Sequence, residues 1–229
     1  MPDRTEPRAL PVRAVLFDLD GTLADTAADL AAALNRVRED RELAPLPLAQ
    51  LRPHASDGTR GMLGVGLGVH RGDVEWETLK EAFLDYYASS LAVHTRLFPG
   101  ADDTLAGIEK RGLAWGVVTN KVARFTLPLL ERLGIAARAG VVVCGDTTKE
   151  IKPHPAPLLH AAAALSVAPE RCVYVGDAPR DVAAARAAGM AALVASYGYI
   201  PPESVPETWA PDGLIDSLPR LLDWLPAPL

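Results

Sequence analysis

Four short segments of the sequence contain side chains whose types and spacing could do chemistry together. Each comes at or shortly after the end of an apolar run, and together they supply carboxylates, a hydroxyl, an amide and an ammonium group. These residues are Asp18, Asp20, Thr119, Asn120, Lys152, Asp177 and Asp181. Carboxylates grouped with a lysine and a hydroxyl are suited to phosphoryl transfer, in which one carboxylate attacks phosphorus and its neighbours stabilise the charge.

Three carboxylates, those of Asp18, Asp20 and Asp177, are predicted to converge on one site. Two unit charges about 4 Å apart repel by roughly 4 kcal/mol at an effective dielectric constant of about 20, so the group needs a cation. Mg²⁺ is the cofactor that we expect, because it prefers oxygen ligands and no histidine or cysteine stands beside these aspartates. We therefore predict Asp18, Asp20 and Asp177 as metal ligands and Asp181 as a supporting residue.

The same residues can be given roles in the hydrolysis of a phosphomonoester. Asp18 is the predicted nucleophile, which forms a covalent aspartyl-phosphate, and Asp20 is the predicted acid and base that protonates the leaving alcohol and then activates water. Lys152 and the metal balance the charge of the phosphate. Thr119 and the backbone amides of Leu19 and Asn120 are predicted to hydrogen-bond the remaining phosphoryl oxygens.

The choice of Lys152 among three neighbouring lysines depends on the residue that follows it. Pro153 restricts the backbone of Lys152 to extended conformations and so helps to fix the direction of the side chain. Lys121 and Lys149 have no such neighbour, and we predict that both are solvated loop charges.

A parallel sheet is predicted to hold these segments at one edge. Short apolar, β-branched runs alternate with helical patterns, which is typical of an α/β fold. The predicted strands are residues 14–17, 113–118, 141–144, 173–175, 191–194 and 214–215, and the predicted helices are residues 102–110, 122–133, 155–165 and 181–188. Ligands of an open parallel sheet bind beyond the carboxyl ends of its strands, and the chemical segments stand at this edge.

The stretch from residue 26 to residue 95 has helical patterns but no convincing strand. Helices are predicted over residues 27–38 and 74–91, on either side of a glycine-rich part at 58–68. These glycines do not form a dinucleotide-binding loop, since no strand precedes them. We interpret the stretch as a helical insertion after the first strand.

A polar part of this insertion could meet the substrate. His54, Ser56, Asp57 and Arg60 stand around the first of its glycines, and a segment of this kind can close over an active site. We predict Arg60 as a substrate-binding residue, because a guanidinium can bind a carboxylate through two hydrogen bonds. The alternative is a solvated loop.

Composition restricts the partners that this chain can have. The formal net charge is -6 and no basic stripe is present, so nucleic acid is not an expected partner. No run is long enough to span a membrane, and residues 1–13 lack the apolar core of a signal peptide. Cys144 and Cys172 lie beside valines and are predicted to be buried reduced thiols, which fits the cytoplasm. The expected partner is a small phosphate ester, with the chain as a monomer or a homodimer.

The four segments, in this order, resemble the motifs of the haloacid dehalogenase superfamily. The motifs are matched by residues 18–22, 118–120, 152–153 and 176–181. The resemblance implies that the carboxylate of Asp18 is the nucleophile, that the backbone carbonyl of Asp20 is a metal ligand and that Asp177 binds Mg²⁺. It also implies two domains, a Rossmann-like core with a doubly wound parallel sheet, residues 1–25 and 96–229, and an inserted α-helical cap, residues 26–95.

Within this superfamily the chain is similar to the phosphoglycolate phosphatase group. Residues 92–94, 115–121 and 197–200, together with Trp209, resemble bacterial phosphatases of N-acetylmuramic acid 6-phosphate, which serve peptidoglycan recycling. The resemblance implies this sugar phosphate as the first expectation and 2-phosphoglycolate as the alternative. A sugar phosphate needs room beneath the cap, whereas the small phosphoglycolate needs a cation close to the ester.

Other functions of the same fold remain open at the level of sequence. A dehalogenase would share Asp18 but would not need Asp20, because a halide leaves without a proton. A phosphomutase of the β-phosphoglucomutase kind would keep every motif and differ in the cap. A non-catalytic phosphate-binding relative usually lacks a catalytic residue, and all of them are present here. A receiver domain fits neither the order of the motifs nor the length of the chain.

Overall fold

A six-stranded parallel sheet forms the centre of the protein. The structure is a computed structural model that describes residues 9–228. In these residues the strands are β1 (Ala14–Phe17), β2 (Ala24–Asp25), β3 (Arg96–Leu97), β4 (Ala114–Val118), β5 (Val141–Val143), β6 (Cys172–Gly176), β7 (Ala191–Ala195) and β8 (Gly213–Ile215). The sheet order is β5-β4-β1-β6-β7-β8, and every neighbouring pair is parallel. Because β1 lies between β4 and β6, three strand ends that carry chemical segments are adjacent.

Helices cover both faces of this sheet. The α-helices of the described residues are α1 (Ala27–Asp40), α2 (Leu48–Leu51), α3 (Gly58–Leu67), α4 (Trp76–Ser89), α5 (Ala101–Lys110), α6 (Ala123–Arg132), α7 (Ala156–Ala164) and α8 (Pro179–Ala187). Within residues 9–228, none of these helices has the length and apolar character that crossing a membrane requires.

The side chains of β1 alternate between two core layers. Val15 and Phe17 belong to a layer with apolar residues of α5, α6 and the helical insertion, whereas Ala14 and Leu16 belong to a layer with α7 and α8. Successive residues of a strand point to opposite faces, so a strand that is apolar throughout must be covered on both sides. The predicted doubly wound α/β core is confirmed.

The predicted core elements are present, with ends shifted by about two residues at most. The largest shift is at α8, which begins at Pro179 because proline suits the first position of a helix. Gly134 and Gly189 have φ angles of 73° and 74° and follow α6 and α8, as predicted for residues that end a helix. Both cysteines are buried and unpaired.

A small two-stranded antiparallel sheet joins the helical insertion to the core. β2 and β3 are antiparallel, with Ala24 opposite Leu97 and Asp25 opposite Arg96, and α1 to α4 lie between them. Sequence analysis missed these strands because two residues are too short to show an alternating pattern. Next to this small sheet, the buried Asp29 of α1 accepts hydrogen bonds from the backbone amides of His94 and Thr95 and from the hydroxyl of Thr95.

The glycine-rich stretch of the insertion forms the helix α3. Gly66 lies against α1, and a Cβ atom at this position would stand 2.5 Å from Cδ2 of Leu34. The helix ends at Gly68, whose φ of 67° is left-handed. These glycines therefore serve helix packing and helix termination, and a 3-10 helix, Arg52–Asp57, precedes them instead of a strand.

Candidate active site

The carboxyl ends of β1, β4 and β6 bring the predicted residues to one edge of the sheet. Asp18 follows β1, Thr119 follows β4 and Asp177 follows β6, and all three side chains are buried. The backbone amide of Asp18 donates to the carbonyl of Val175 at 2.8 Å. This hydrogen bond continues the pairing of β1 with β6 and holds the backbone of the nucleophile candidate.

Three buried carboxylates meet at this edge, and we call them the carboxylate cluster. Oxygens of Asp18, Asp177 and Asp181 all lie within 4.8 Å of one another. Asp181 stands in the first turn of α8, where its Oδ2 accepts the backbone amide of Ala178 at 3.0 Å. Asp181, and not Asp20 as predicted, is the third carboxylate of this group, because the carboxylate of Asp20 pairs with Lys121. Binding of a metal by Asp20 stays a prediction.

Glycine at position 21 permits the close packing of the cluster. Its φ is 81°, which is left-handed, and a Cβ atom here would stand 2.0 Å from Oδ2 of Asp177. Any other residue would both strain this turn and push Asp177 out of place. Glycine is therefore required at position 21, in the first motif, to leave room for Asp177 of the fourth motif.

The carboxylate cluster has the electrostatic character of a cation site. Burial raises the pKa of Asp18, with Lys152 opposing and Asp181 adding to the shift. Burial followed by the charges of Asp18 and Asp181 raises the pKa of Asp177 to about 7. Oδ1 of Asp177 is buried and has no hydrogen-bond partner in the described part of the chain. A hard divalent cation with oxygen ligands would relieve all of these costs, so the residues fit Mg²⁺.

Lys152 is fully buried against the cluster. Its Nζ lies 3.0 Å from Oδ1 of Asp18 and 2.8 Å from Oδ1 of Asp181, and it donates a hydrogen bond of 2.6 Å to the hydroxyl of Tyr174. Tyr174 in turn donates to the carbonyl of Val118 at 2.7 Å. Burial by itself lowers the pKa of Lys152, but Asp18 and Asp181 outweigh it and raise the pKa, so the side chain stays charged.

Asn120 holds the backbone of Lys152. Its side-chain nitrogen donates to the carbonyl of Lys152 at 2.9 Å, and its side-chain oxygen accepts the amide of Lys152 at 3.0 Å. The peptide bond from Lys152 to Pro153 is cis. Thr119 accepts the backbone amide of Lys121 on its Oγ1 at 3.2 Å, which leaves the hydroxyl proton of Thr119 for another acceptor. Binding of phosphate by Thr119 and by the amide of Asn120 stays a prediction.

Lys121 lies inside the site, so the prediction that it is a solvated loop charge is wrong. Its Nζ donates a hydrogen bond of 2.8 Å to Oδ1 of Asp20, and its side chain is only 10% exposed. Burial by itself lowers the pKa of Lys121, but Asp20 and Tyr87 outweigh it and raise the pKa. Lys149 is exposed, as predicted. The two lysines look alike in the sequence because the groups that bury Lys121 are distant along the chain.

The insertion reaches the carboxylate cluster through Ser56 and Asp57. Oγ of Ser56 donates to Oδ2 of Asp177 at 2.6 Å. Arg180 donates to Oδ1 of Asp57 at 2.8 Å and to the backbone carbonyl of Ser56 at 2.6 Å. Two of the four polar residues singled out in the insertion thus touch the edge of the site.

Arg60 and His54 lie at the outer part of this contact. The side chain of Arg60 is 65% exposed and pairs with Oδ1 of Asp57 at 2.8 Å, the same oxygen that Arg180 contacts. His54 is half-buried, and its carbonyl packs against Gly61. Contact of Arg60 with a substrate carboxylate stays a prediction.

Sequence analysis gave no role to Arg52 and Tyr199. Arg52 contacts both carboxylate oxygens of Asp25 at 2.9 Å, and its guanidinium lies 5.0 Å from the ring centroid of Tyr199. The Tyr199 hydroxyl accepts the amide of Thr26 at 2.6 Å and donates to Asp25 at 2.8 Å, while its own amide donates to Asp177. The only signal in the sequence was the likeness of residues 197–200 to certain phosphatases.

Three ion pairs lie along the edge where the insertion meets the core, and we call them the insertion border. They are Asp20–Lys121, Asp25–Arg52 and Asp57–Arg180. Each of these carboxylates faces a cation, and Asp57 faces a second one, Arg60, so this edge carries no excess of negative charge.

Comparison with known proteins agrees with the fold and with this arrangement. The sequence model of the haloacid dehalogenase-like hydrolases matches residues 15–195, and the chain belongs to this family. It is 41% identical over 218 residues to the N-acetylmuramic acid 6-phosphate phosphatase of Pseudomonas aeruginosa, covering 95% of this chain and 96% of the relative. It is 45% identical over 215 residues to the phosphoglycolate phosphatase of Xanthomonas campestris pv. campestris, covering 94% and 96%.

Solved structures show the same fold. The crystal structure of a predicted phosphoglycolate phosphatase from Haemophilus somnus 129PT superposes with a TM-score of 0.81 at 28% identity, covering 93% of this chain and 97% of that one. The chain is a phosphatase of this family that acts on phosphate esters, which confirms the class of enzyme expected from the motifs.

Proposed function

We propose that the protein is a magnesium-dependent phosphomonoester hydrolase that works through an aspartyl-phosphate on Asp18. One observation carries the proposal: Oδ1 of Asp18 is held by the backbone amide of Leu19 at 2.7 Å and by Lys152 at 3.0 Å. Both contacts fall on one oxygen, which leaves Oδ2 as the attacking atom. A carboxylate held in this way loses little freedom on reaching the transition state.

Charge neutralisation makes this attack possible. Lys152, charged and buried, offsets the repulsion between the carboxylate of Asp18 and the phosphate. Mg²⁺ held by Asp18, Asp177 and Asp181, with the backbone carbonyl of Asp20 as the family resemblance implies, would supply positive charge to the phosphoryl oxygens. The hydroxyl of Thr119 and the backbone amide of Asn120 donate hydrogen bonds to the same oxygens.

Asp20 transfers a proton in each half of the proposed reaction. In the first half the bond from Asp18 Oδ2 to phosphorus forms, the ester P–O bond breaks, and Asp20 gives its proton to the leaving oxygen. In the second half Asp20 takes a proton from water, the water oxygen bonds to phosphorus, and the acyl-phosphate bond breaks to release phosphate and restore Asp18.

The helical insertion, residues 26–95, acts as a cap on a core of residues 1–25 and 96–229. Ser56 and Asp57 contact Asp177 and Arg180, so the cap borders the place where the non-phosphate part of a substrate must lie. We also propose the cytoplasm as the place of action, because two buried free thiols fit a reducing compartment.

N-acetylmuramic acid 6-phosphate is the substrate that we propose. The Pseudomonas aeruginosa relative with this activity in its name matches nearly the whole chain. The cations around the site support a substrate without a carboxylate close to its phosphate, since each already faces a carboxylate of the protein. These cations are Lys121, Lys152, Arg52 and Arg180.

2-Phosphoglycolate is the second candidate, favoured by the relative from Xanthomonas campestris at 45% identity. Its carboxylate would have to take Arg52, Arg180 or Arg60 from its present partner. Binding of phosphoglycolate would replace a carboxylate of the protein by that of the substrate at one of these arginines and leave the protein carboxylate without that partner. This loss lowers the affinity for phosphoglycolate and distinguishes the two substrates.

The test is a comparison of kcat/KM for the two compounds with the magnesium-loaded protein under one set of conditions. We expect at least a tenfold preference for the sugar phosphate, about 1.4 kcal/mol of transition-state stabilisation. A tenfold preference for phosphoglycolate would reject the sugar phosphate and keep the phosphatase chemistry. Absence of phosphate release from either compound, with p-nitrophenyl phosphate as the positive control, would reject both substrates.

A further inference from the structure

The carboxylate of Asp20 is held through one oxygen only. Its Oδ1 accepts hydrogen bonds from Oγ1 of Thr26 at 2.5 Å and from Nζ of Lys121 at 2.8 Å. Within residues 9–228 no hydrogen bond is made to Oδ2 of Asp20. The two donors therefore orient the carboxylate and leave its second oxygen for proton transfer.

The ammonium group of Lys121 has two neighbours from distant parts of the chain. One is Asp20, and the other is the ring of Tyr87 in α4, whose centroid lies 4.8 Å from Nζ. A cation over an aromatic face is attracted by the negative face of the ring, most strongly where water is excluded. Lys121 is thus fixed between the candidate proton donor and the insertion.

Tyr87 belongs to the insertion but packs against the core. Its ring makes an edge contact with Phe125 of α6, with centroids 5.3 Å apart, and it is parallel to Phe83 at 6.5 Å. Its hydroxyl is buried and lacks a hydrogen-bond partner in the part of the chain that the structure describes. A buried hydroxyl without a partner is unfavourable, so the ring contacts with Lys121 and Phe125 must offset that penalty.

We propose that Lys121 is a positioning residue that holds Asp20 for proton transfer, and that Tyr87 makes this hold depend on the seating of the insertion on the core. The inference rests on the proposed function, because it needs Asp20 to be the proton-transferring group. Thr26, the other donor to Asp20, stands at the start of the insertion, so both holding groups are tied to it. Movement of the insertion away from the core takes the aromatic face from Lys121 and frees Asp20 to rotate.

The two chemical steps depend on this hold to different degrees. Formation of the aspartyl-phosphate from an aryl ester with a good leaving group needs little proton donation. Hydrolysis of the aspartyl-phosphate needs Asp20 aimed at the attacking water. Loss of Lys121 should therefore slow the second step much more than the first.

The experiment measures both steps in single turnovers of the magnesium-loaded protein with p-nitrophenyl phosphate. Release of p-nitrophenol reports phospho-enzyme formation, and decay of the acid-stable phospho-enzyme reports its hydrolysis. For Lys121→Met we expect decay slower by roughly thirtyfold, since a misplacement of about 1 Å can cost a factor of about 100, with kcat/KM and phospho-enzyme formation within about threefold of wild type. Lys149→Met, which removes an exposed lysine, is the matched control and should change neither step.

Tyr87 gives a second measurement that does not remove the charge. Tyr87→Phe keeps the ring face over Lys121 and loses the hydroxyl, so decay should stay within about twofold of wild type. Tyr87→Leu removes the ring face and should slow decay by about fivefold. If Lys121→Met does not fold, Tyr87→Leu against Tyr87→Phe decides the proposal, and equal decay in these two variants overturns it.

Asp20→Asn separates failure of this inference from failure of the proposed function. Slow decay in Asp20→Asn with normal decay in Lys121→Met overturns the role of Lys121 and leaves the proposed function standing. Normal decay in Asp20→Asn overturns both. Adding Lys121→Met to Asp20→Asn should slow decay little further, and a fully multiplicative loss overturns a role through Asp20. A raised KM with unchanged kcat in Lys121→Met would make Lys121 a substrate ligand and overturn the positioning role.

Discussion

The carboxylate cluster and the insertion border are both charged, but their charges are balanced differently. The cluster sets three buried carboxylates against the ammonium of Lys152, with the guanidinium of Arg180 as a second cation near all three. At the insertion border every carboxylate contacts a cation, and Asp57 contacts two, Arg180 and Arg60. An excess of buried negative charge needs a further cation or a proton, whereas a paired charge is already offset by its partner. The cluster is therefore prepared for a metal and a phosphoryl group, and the border for holding the insertion against the core.

The largest expected effect comes from the nucleophile of the cluster. Asp18→Asn should fold, because the amide keeps the shape of the side chain and the hydrogen bond from the Leu19 amide. It should lose more than about a thousandfold in kcat, roughly 4 kcal/mol of barrier, because no acyl-phosphate can form. Steady-state phosphate release measures the loss, and Asp103→Asn on the exposed face of α5 is the control. A residual activity above a thousandth of wild type, as a rough limit, would show that Asp18 is not the nucleophile.

A smaller and more selective loss is expected at the border carboxylate that transfers the proton. Asp20→Asn should lower turnover of an alkyl phosphate by about a hundredfold or more, and that of an aryl phosphate far less in the phosphorylation step. Comparison of alkyl and aryl esters in rapid-quench experiments measures this difference. Equal losses for the two leaving groups would place Asp20 with the metal cluster and remove the chemical distinction between the two regions.

The pH dependence of stability should reveal the charge excess of the cluster. In metal-free protein the pKa of Asp177 is raised to about 7, so the native state keeps a proton that the unfolded state has already released. This contribution is fully present below the ordinary aspartate range and is lost as the pH rises towards 7 and above. We expect the Tm of wild type, relative to Asp177→Asn, to fall by several degrees between pH 5 and pH 8.

Magnesium should reverse that trend, because protons and the cation compete for the same carboxylates. The rise in Tm on adding MgCl₂ should be larger at pH 8 than at pH 5 in wild type and nearly absent in Asp177→Asn. A rise in Tm that is independent of pH would argue against the cluster as the cation site.

The smallest effect is expected from changing the shape of a border cation while keeping its charge. Arg180→Lys replaces the two guanidinium nitrogens that contact Asp57 and the carbonyl of Ser56 by one ammonium nitrogen, so the insertion should be held less firmly. We expect kcat/KM to fall by about fivefold, roughly 1 kcal/mol. Arg186→Lys is the matched control, since Arg186 lies on the same helix and contacts Asp212 and Ala210 away from the site. Equal effects of the two variants would show that the border contact of Arg180 has no special role.

Two of the three carboxylates of the cluster could be predicted from the sequence, and the ion pairs of the border could not, for a physical reason. Asp18, Asp177 and Lys152 are placed by local signals, namely apolar strands that end at one edge of a parallel sheet. The choice between Asp20 and Asp181 as the third carboxylate depends on tertiary contacts, and the partner of Asp20, Lys121, lies in the loop that follows β4. Periodicity contains no information about such contacts.

The insertion illustrates the same limit on a larger scale. The helices α1 and α4 were predicted from their apolar spacing, but β2 and β3 were missed, because their two residues pair only across the whole insertion. In the sequence the glycines of α3 gave no sign of a helix. The structure shows a reason for one of them, because Gly66 packs against Leu34 of α1. Lys121 is buried because Tyr87 and Asp20, which are distant along the chain, approach it, whereas Lys149 is exposed.

The pairing of β2 with β3 places the two ends of the insertion side by side, so the insertion can be treated as a unit that could be exchanged for another. Its entry and exit are paired residues, Ala24 with Leu97 and Asp25 with Arg96, and antiparallel partners stand only about 5 Å apart. A different helical module with equally close ends can be grafted at these positions without changing the register of the main sheet, and loop-closure entropy varies only slowly with its length. We therefore expect that substrate range can change separately from reaction chemistry, provided that the graft brings a ring to cover Lys121, as our proposal for Tyr87 requires.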